Sequence, residues 1–155
     1  MKATHPAATI ALILSFWSLL FTSGSMAADP DHGAIKSVIE RQLAAFQNDD
    51  AALAYSFATP KIQQTFGSPE QFISMVRSGY PPVYRPQSVT FLDIIMLRGQ
   101  LTQRVLLTGP DGVPTTAHYF MEQQEDGRWL IDGCVLSAPD ALSAGRQTDR
   151  QSSTG

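Results

Sequence analysis

The carboxylate best placed in this sequence to move a proton is Asp93. It stands inside the run Ser88–Leu97, on the parity of Val89, Phe91 and Ile95. If that parity faces the interior, desolvation raises the pKa of the carboxyl and suits it to be a general base. Tyr119 and Tyr84 would then donate hydrogen bonds to the oxyanion that forms. The competing reading places Asp93 on the solvent face, paired with Arg104 or Arg98, and it is preferred because structural ion pairs outnumber catalytic carboxylates. Asp132 poses the same question, and cross-strand pairing with an arginine is again the preferred answer.

Other chemistries find less to work with. Past the expected leader, the histidines His32 and His118 and the lone Cys134 have no metal-ligand spacing, so no metal is expected. No glycine-rich turn joins a strand to a helix, so no nucleotide or other cofactor is expected. A complete Gly-x-Ser-x-Gly elbow is missing, and His118 has no evident serine partner. Cys134 lies in a strand pattern and reads as a small buried apolar residue. The sharper alternatives are an intermolecular disulfide or a reactive thiol, but no basic neighbour is evident to lower its pKa.

A ligand or partner fits one segment better. Tyr80-Pro81-Pro82-Val83-Tyr84-Arg85-Pro86 carries three prolines in seven residues. That composition predicts an extended, polyproline-like crossing rather than a helix. It would display Tyr80, Tyr84 and Arg85 at low entropic cost, and Tyr and Arg anchor interfaces. The alternative is that the tyrosines close the end of the core. Met75 could line an adaptable apolar pocket. Trp129, the bulkiest aromatic past the last turn, completes the candidate binding set.

The elements that must hold these residues fall into two halves. Ile35, Val38, Ile39, Leu43 and Phe46 recur at helical spacing and predict a helix over 32–47, capped by Asp31. Asp50, Thr59 and Ser68 each cap a further short helix, with Leu53 and Phe57 on the apolar side of the first. Gly67 ends the second of these helices, and Gly79 is placed for a left-handed C-cap. From Ser88 the period changes to 2. Strands are expected at 88–97, 101–108, 115–124 and 128–136, joined by turns too short for crossovers and therefore antiparallel. Helices followed by such a meander predict an α+β fold. Trp129, Ile131 and Val135 are assigned to one sheet face, and Leu130, Cys134 and Leu136 to the other. A sheet apolar on both sides predicts a homodimer through its outer face.

The chain of 155 residues suits one domain, and its net charge of −3 without basic clusters argues against nucleic acid. Ile10–Phe21 is an apolar run too short to span a bilayer, and Ser25-Met26-Ala27 follows with small residues at the outer positions. A cleaved secretory leader is expected at 1–27, a domain at 28–136 and a disordered tail at 137–155. The mature protein would be periplasmic or secreted, without a membrane span.

The segments VIERQLAAFQNDDAALAYSFATPKIQQTF, FISMVRSGYPPVYRP and DGRWLIDGCVL resemble a bacterial family, domain of unknown function 4864. The ending Asp-Gly-x-Trp-x-Ile is also similar to the nuclear-transport-factor-2-like superfamily. That second resemblance implies a cone, a bent sheet over helices with a pocket at the open end. It also implies one more short strand between the helices, for which the sequence shows no candidate. The first family carries no activity, so no catalytic residue follows from it. The expected role is non-catalytic binding of a small apolar molecule or an envelope protein. The alternative is a cofactor-free isomerase, hydrolase or lyase using Asp93 with Tyr119 or Tyr84.

Overall fold

The computed structural model describes residues 30–139. The expected leader, and the tail from residue 140 on, lie outside the described residues. Five helices come first: α1 (Pro30–Gln47), α2 (Ala51–Ser56), α3 (Pro60–Phe66), α4 (Pro69–Gly79) and α5 (Pro81–Tyr84). Four strands follow: β1 (Ser88–Leu97), β2 (Gln100–Thr108), β3 (Pro114–Gln123) and β4 (Trp129–Ser137). They form one antiparallel sheet in the order β1-β2-β3-β4. The fold is α+β, with an open meander that does not close into a barrel.

Polar caps set the helix boundaries. Asp50, Thr59 and Ser68 each accept a hydrogen bond from the backbone N–H three residues on, at Leu53, Ile62 and Gln71. Gly67 ends α3 in the left-handed conformation at φ 74°, which costs glycine no side-chain clash. Gly79 does not repeat this, because α4 runs through it and ends on Tyr80. Asp31 is not the cap of α1 but lies in its first turn. In α2 the buried residue is Ala54, whereas Leu53 is exposed.

The proline segment is helical, not extended. Pro81 and Pro82 occupy the first two positions of α5, where an absent N–H leaves no bond unmade. The N–H groups of Val83 and Tyr84 both donate to the Tyr80 carbonyl, and Arg85 N–H donates to that of Pro81. Proline forbids a helix interior, but a single turn consists of little besides its start.

The inner sheet face meets α1. Ile35, Ile39, Leu43 and Phe46 pack with Val105, Leu107, Ala117, Tyr119, Met121 and Ile131 in one buried cluster. Each such aliphatic or aromatic side chain contributes about 1.5–3 kcal/mol on burial. The exposed edge of β4 is occupied by the chain between α2 and α3. Thr59 N–H donates to Ile131 O, and Ile131 N–H donates to Phe57 O, making a parallel bridge one residue long at Ala58. Nothing so short leaves a period in the sequence.

Both edge strands carry a β-bulge. In β1 the register slips between Phe91 and Ile94, so Leu92 and Asp93 together oppose Arg104. Buried Gln103 answers this irregularity by donating to the Leu92 carbonyl at 2.9 Å. In β4, Ile131 pairs with Met121 and Gly133 with Phe120, which leaves Asp132 as the extra residue. A bulge reverses the alternation beyond it. Cys134 and Leu136 therefore join Ile131 and Trp129 against the core, while Val135 is exposed. The expected grouping of Val135 with Ile131, opposite Cys134 and Leu136, fails for this reason.

Candidate functional site

A cavity of about 180 Å³ lies between the helical layer and the inner face of β3 and β4. α1 supplies Gln42 and Phe46, α3 supplies Ile62 and Phe66, and α4 supplies Phe72, Met75 and Val76. Tyr80 and Val83 close the end towards α5, and Tyr119, Ile131, Gly133 and Cys134 form the sheet wall. The deep residues, among them Phe46, Phe72, Val83 and Tyr119, are buried. Ile62, Phe66, Met75, Tyr80 and Cys134 are half-buried and form the mouth. No lining residue carries a charge.

Local sequence explains this shape. The helical step from Phe72 to Met75 and Val76 puts all three on one face of α4. Phe72 meets Phe46 at 5.9 Å and Phe66 at 5.6 Å between ring centroids, the latter edge to face, so three helices are joined by aromatic contacts. Alternation in β3 sends Tyr119 inward together with Ala117 and Met121. The bulge at Asp132 brings Cys134 opposite it on the same face.

The polar content of the cavity is small and specific. Gln42 is spent structurally, its amide donating to the Ala54 carbonyl at 3.1 Å. Tyr119 is 1% exposed, and its hydroxyl is buried with no hydrogen-bond partner. Burial, and then the nearby Cys134, push the Tyr119 phenol well above the ordinary tyrosine range. Burial pushes the Cys134 thiol up to about 12. Tyr80 is raised by the same two causes in the same order. At neutral pH all three groups are protonated, so the cavity holds no thiolate or phenolate nucleophile.

The residues expected to act at a site divide sharply. Tyr119, Met75 and Tyr80 line the cavity. Asp93 does not: its side chain is exposed, and Arg104 grips Oδ1 through Nε at 2.8 Å and Nη2 at 2.6 Å. This is the preferred ion-pair reading, and it leaves Tyr119 without a carboxylate beside it.

Tyr84 and Arg85 are not on display. The Tyr84 hydroxyl donates to Asp49 and accepts from Arg77 Nε at 3.1 Å. Arg85 lies 4.0 Å over the Tyr84 ring, donates to the Phe46 carbonyl and pairs with Asp49 at 2.8 Å. The Tyr84 bond first, and then that of Arg85, hold the Asp49 carboxyl below its ordinary value. Together they clasp α5 to the end of α1. Trp129 packs at the edge of the core and its indole N–H donates to Asp31 at 3.2 Å, tying β4 to the start of α1.

Among the described residues Asp132 has no arginine partner, which corrects the expected cross-strand pair. It accepts from Thr59 at 2.9 Å, Lys61 at 3.0 Å and Gln100 at 3.1 Å. Its burial acts to raise the pKa, but these three bonds outweigh it and the carboxyl sits below its ordinary value. The bulge and the α3 cap create this nest, and neither could be placed from strand parity.

His118 does have a serine partner, Ser137, at 2.9 Å from Nε2. Its buried Nδ1 has no partner, so the acid that would orient an acyl-transfer dyad is missing. Among the described residues no group of His, Cys, Asp or Glu is arranged to hold a metal. Also among them, no helix is long and apolar enough to cross a membrane.

Sequence reasoning missed Gln42, Phe46, Ile62, Phe66, Phe72 and Cys134 as cavity residues. Their spacing gives the signature of ordinary core, and only the incomplete filling of the space between them makes a site.

Residues 28–144 match the family model described as Domain of unknown function (DUF4864). Comparison with curated proteins finds no match. Among solved structures, a 2.5 Å structure from Catenulispora acidiphila is similar at 16% identity, over 76% of this chain and 94% of that one, with a TM-score of 0.43. A likeness of that size carries no argument about activity.

Proposed function

We propose that this chain, which belongs to the DUF4864 family, is an exported binding module that holds a small apolar molecule in the cavity around Tyr119. One observation carries the reading. A space of about 180 Å³ is left unfilled between the helices and the sheet, walled by Phe46, Phe66, Phe72, Met75 and Ile131 with no charged side chain, and an apolar space of that size takes up a small apolar molecule. The protonated state of Tyr119 and Cys134, and the engagement of Asp93 by Arg104, support binding over catalysis.

The test is a thermal melt with toluene as probe. At about a hundredfold excess over Kd, toluene raises the melting temperature of the unmodified chain by several degrees, and Met75→Trp, which plugs the mouth, abolishes the rise. A melting temperature that toluene does not move overturns the reading.

Export rests on the apolar run Ile10–Phe21 followed by Ser25-Met26-Ala27. N-terminal sequencing of the protein recovered from the cell envelope checks it: a start at Ala28 or Asp29 supports export, and a start at Met1 removes it. Self-association through the outer sheet face, where Phe120 is half-buried and Val135 exposed, belongs to the same proposal. Light scattering of the tag-free chain at micromolar concentration would show a dimer, and a monomer refutes that part.

A further inference from the structure

We infer that α3 is the gate of the cavity: it swings away from α2 to admit a ligand and to release it, and Gln63 is its latch. The inference rests on the proposed binding function and adds to it how the site is entered.

The walls of the cavity differ in what fastens them. α1 is held on the sheet by Ile35, Ile39 and Leu43, all buried. α4 buries Phe72, Ile73 and Val76. Tyr84 and Arg85 tie α5 to Asp49, and β3 and β4 are joined along a ladder. Of the five described helices only α3 buries no residue. Its apolar side chains, Ile62 and Phe66, stand four residues apart on one face and lie half-buried at the mouth. A segment with few buried apolar contacts opens at less cost than the whole domain.

Polar bonds hold α3 in place. Gln63 Nε2 donates to the carbonyls of Tyr55 at 3.1 Å and Ala58 at 3.0 Å. The Tyr55 hydroxyl donates in return to the Gln63 carbonyl. Tyr55 belongs to α2, so one side chain of α3 carries most of its attachment to that helix. Such neutral bonds exchange for bonds to water at small net cost. The Lys61 side chain that reaches Asp132 is 71% exposed and adds little.

The two ends of α3 suit a hinge. Thr59 is pinned to β4, its N–H donating to Ile131 O and its hydroxyl to Asp132. Gly67 turns the chain in the left-handed conformation, and a side-chain carbon placed there would meet nothing within 4 Å. That corner is free to absorb a change of dihedral angles. α3 therefore pivots at Thr59 while Gly67 takes up the change, and Ile62 and Phe66 leave the mouth together.

The experiment measures the exchange of toluene with the unmodified chain and with Gln63→Ala at pH 7, rates by NMR line shapes and Kd by calorimetry. Losing the latch favours the open state in the empty and the filled protein alike. Gln63→Ala should therefore raise the association and dissociation rates by about tenfold each and leave Kd within about twofold. Unchanged rates overturn the inference and leave the binding function standing. Faster dissociation without faster association overturns it too, since Gln63 would then only shape the cavity. If toluene does not bind the unmodified chain, the binding function falls, and this inference with it.

Hydrogen exchange in the unmodified chain gives a readout that does not depend on the variant folding. Gln63 and Phe72 hold matched places in the first turns of α3 and α4, their N–H groups donating to the Thr59 and Ser68 carbonyls at 2.9 and 3.1 Å. Relative to its intrinsic rate, the Gln63 amide should exchange at least about tenfold faster than that of Phe72. Equal exchange would mean that α3 opens only together with α4, and there would be no gate.

Discussion

Two buried tyrosines divide this molecule into a finished region and an unfinished one. Tyr84 bonds to Asp49 and Arg77 and carries the Arg85 guanidinium on its ring. Tyr119 is buried more deeply, and its hydroxyl has no partner among the described residues. The same side chain thus serves as a clasp in one place and as an open valence in the other. The Asp132 nest belongs with the clasp, since its carboxylate takes three donors from two other elements. Buried polar groups are retained in proteins when they are satisfied or when they act on something that arrives. By that criterion the clasp and the nest are structural, and the cavity remains as the proposed site.

Phe46 is shared by the two regions, and its loss should have the largest effect. Its ring walls the cavity and meets Phe72, while its carbonyl accepts from Arg85. Phe46→Ala should destabilise by about 3–5 kcal/mol, read from the midpoint of a urea melt. A loss under about 1 kcal/mol would mean that the ring is not core.

Asp132→Asn comes next, at about 1–3 kcal/mol, because an amide turns a donor towards Lys61 and Gln100. The effect should depend on acid. The folded carboxyl has a depressed pKa, so its contribution is complete above the unfolded value of about 3.9 and is lost as pH falls through the folded value. The difference between the two proteins should therefore be constant from pH 7 to about pH 5 and shrink below about pH 4. A difference that grows in acid would contradict the nest.

Tyr84→Phe should lower the melting temperature by a few degrees and leave toluene binding untouched. Abolished binding would merge the two regions into one site. Asp93→Asn should matter least, at no more than about 0.5 kcal/mol, since the Arg104 pair is exposed on the acid's side. A large effect on binding would restore Asp93 as a working residue.

Much of this architecture could be read from residue patterns. The caps at Asp50, Thr59 and Ser68 follow from side chains that compete for backbone N–H groups, and the stripe Ile35–Phe46 from the helical period. The four strands fall within a residue of where the alternation puts them. What could not be read has one physical origin. Parity carries inside–outside information along a strand only until an extra residue enters, and in each edge strand that irregularity falls at the very acid that seemed chemically interesting. The bulge at Asp93 makes Ile94, not Ile95, continue the inner face. The bulge at Asp132 moves Cys134 inward and gives the acid a nest instead of a cross-strand arginine. α5 was hidden because proline's rule against helix interiors does not apply to a helix of one turn. The cavity was hidden because it is defined by volume left unfilled, which no spacing of residues records.

The central claim is that the Tyr84 hydroxyl is bonded into the fold and the Tyr119 hydroxyl is not. Urea melts of the ligand-free chain, its Tyr119→Phe variant and Tyr84→Phe, run side by side, test it most directly. The account predicts that Tyr119→Phe keeps its midpoint or gains up to about 1 kcal/mol, since an unsatisfied buried group is removed, while Tyr84→Phe loses stability. A loss in Tyr119→Phe as large as that in Tyr84→Phe would mean that the hydroxyl is bonded within the folded chain, and the contrast between the two regions would fall.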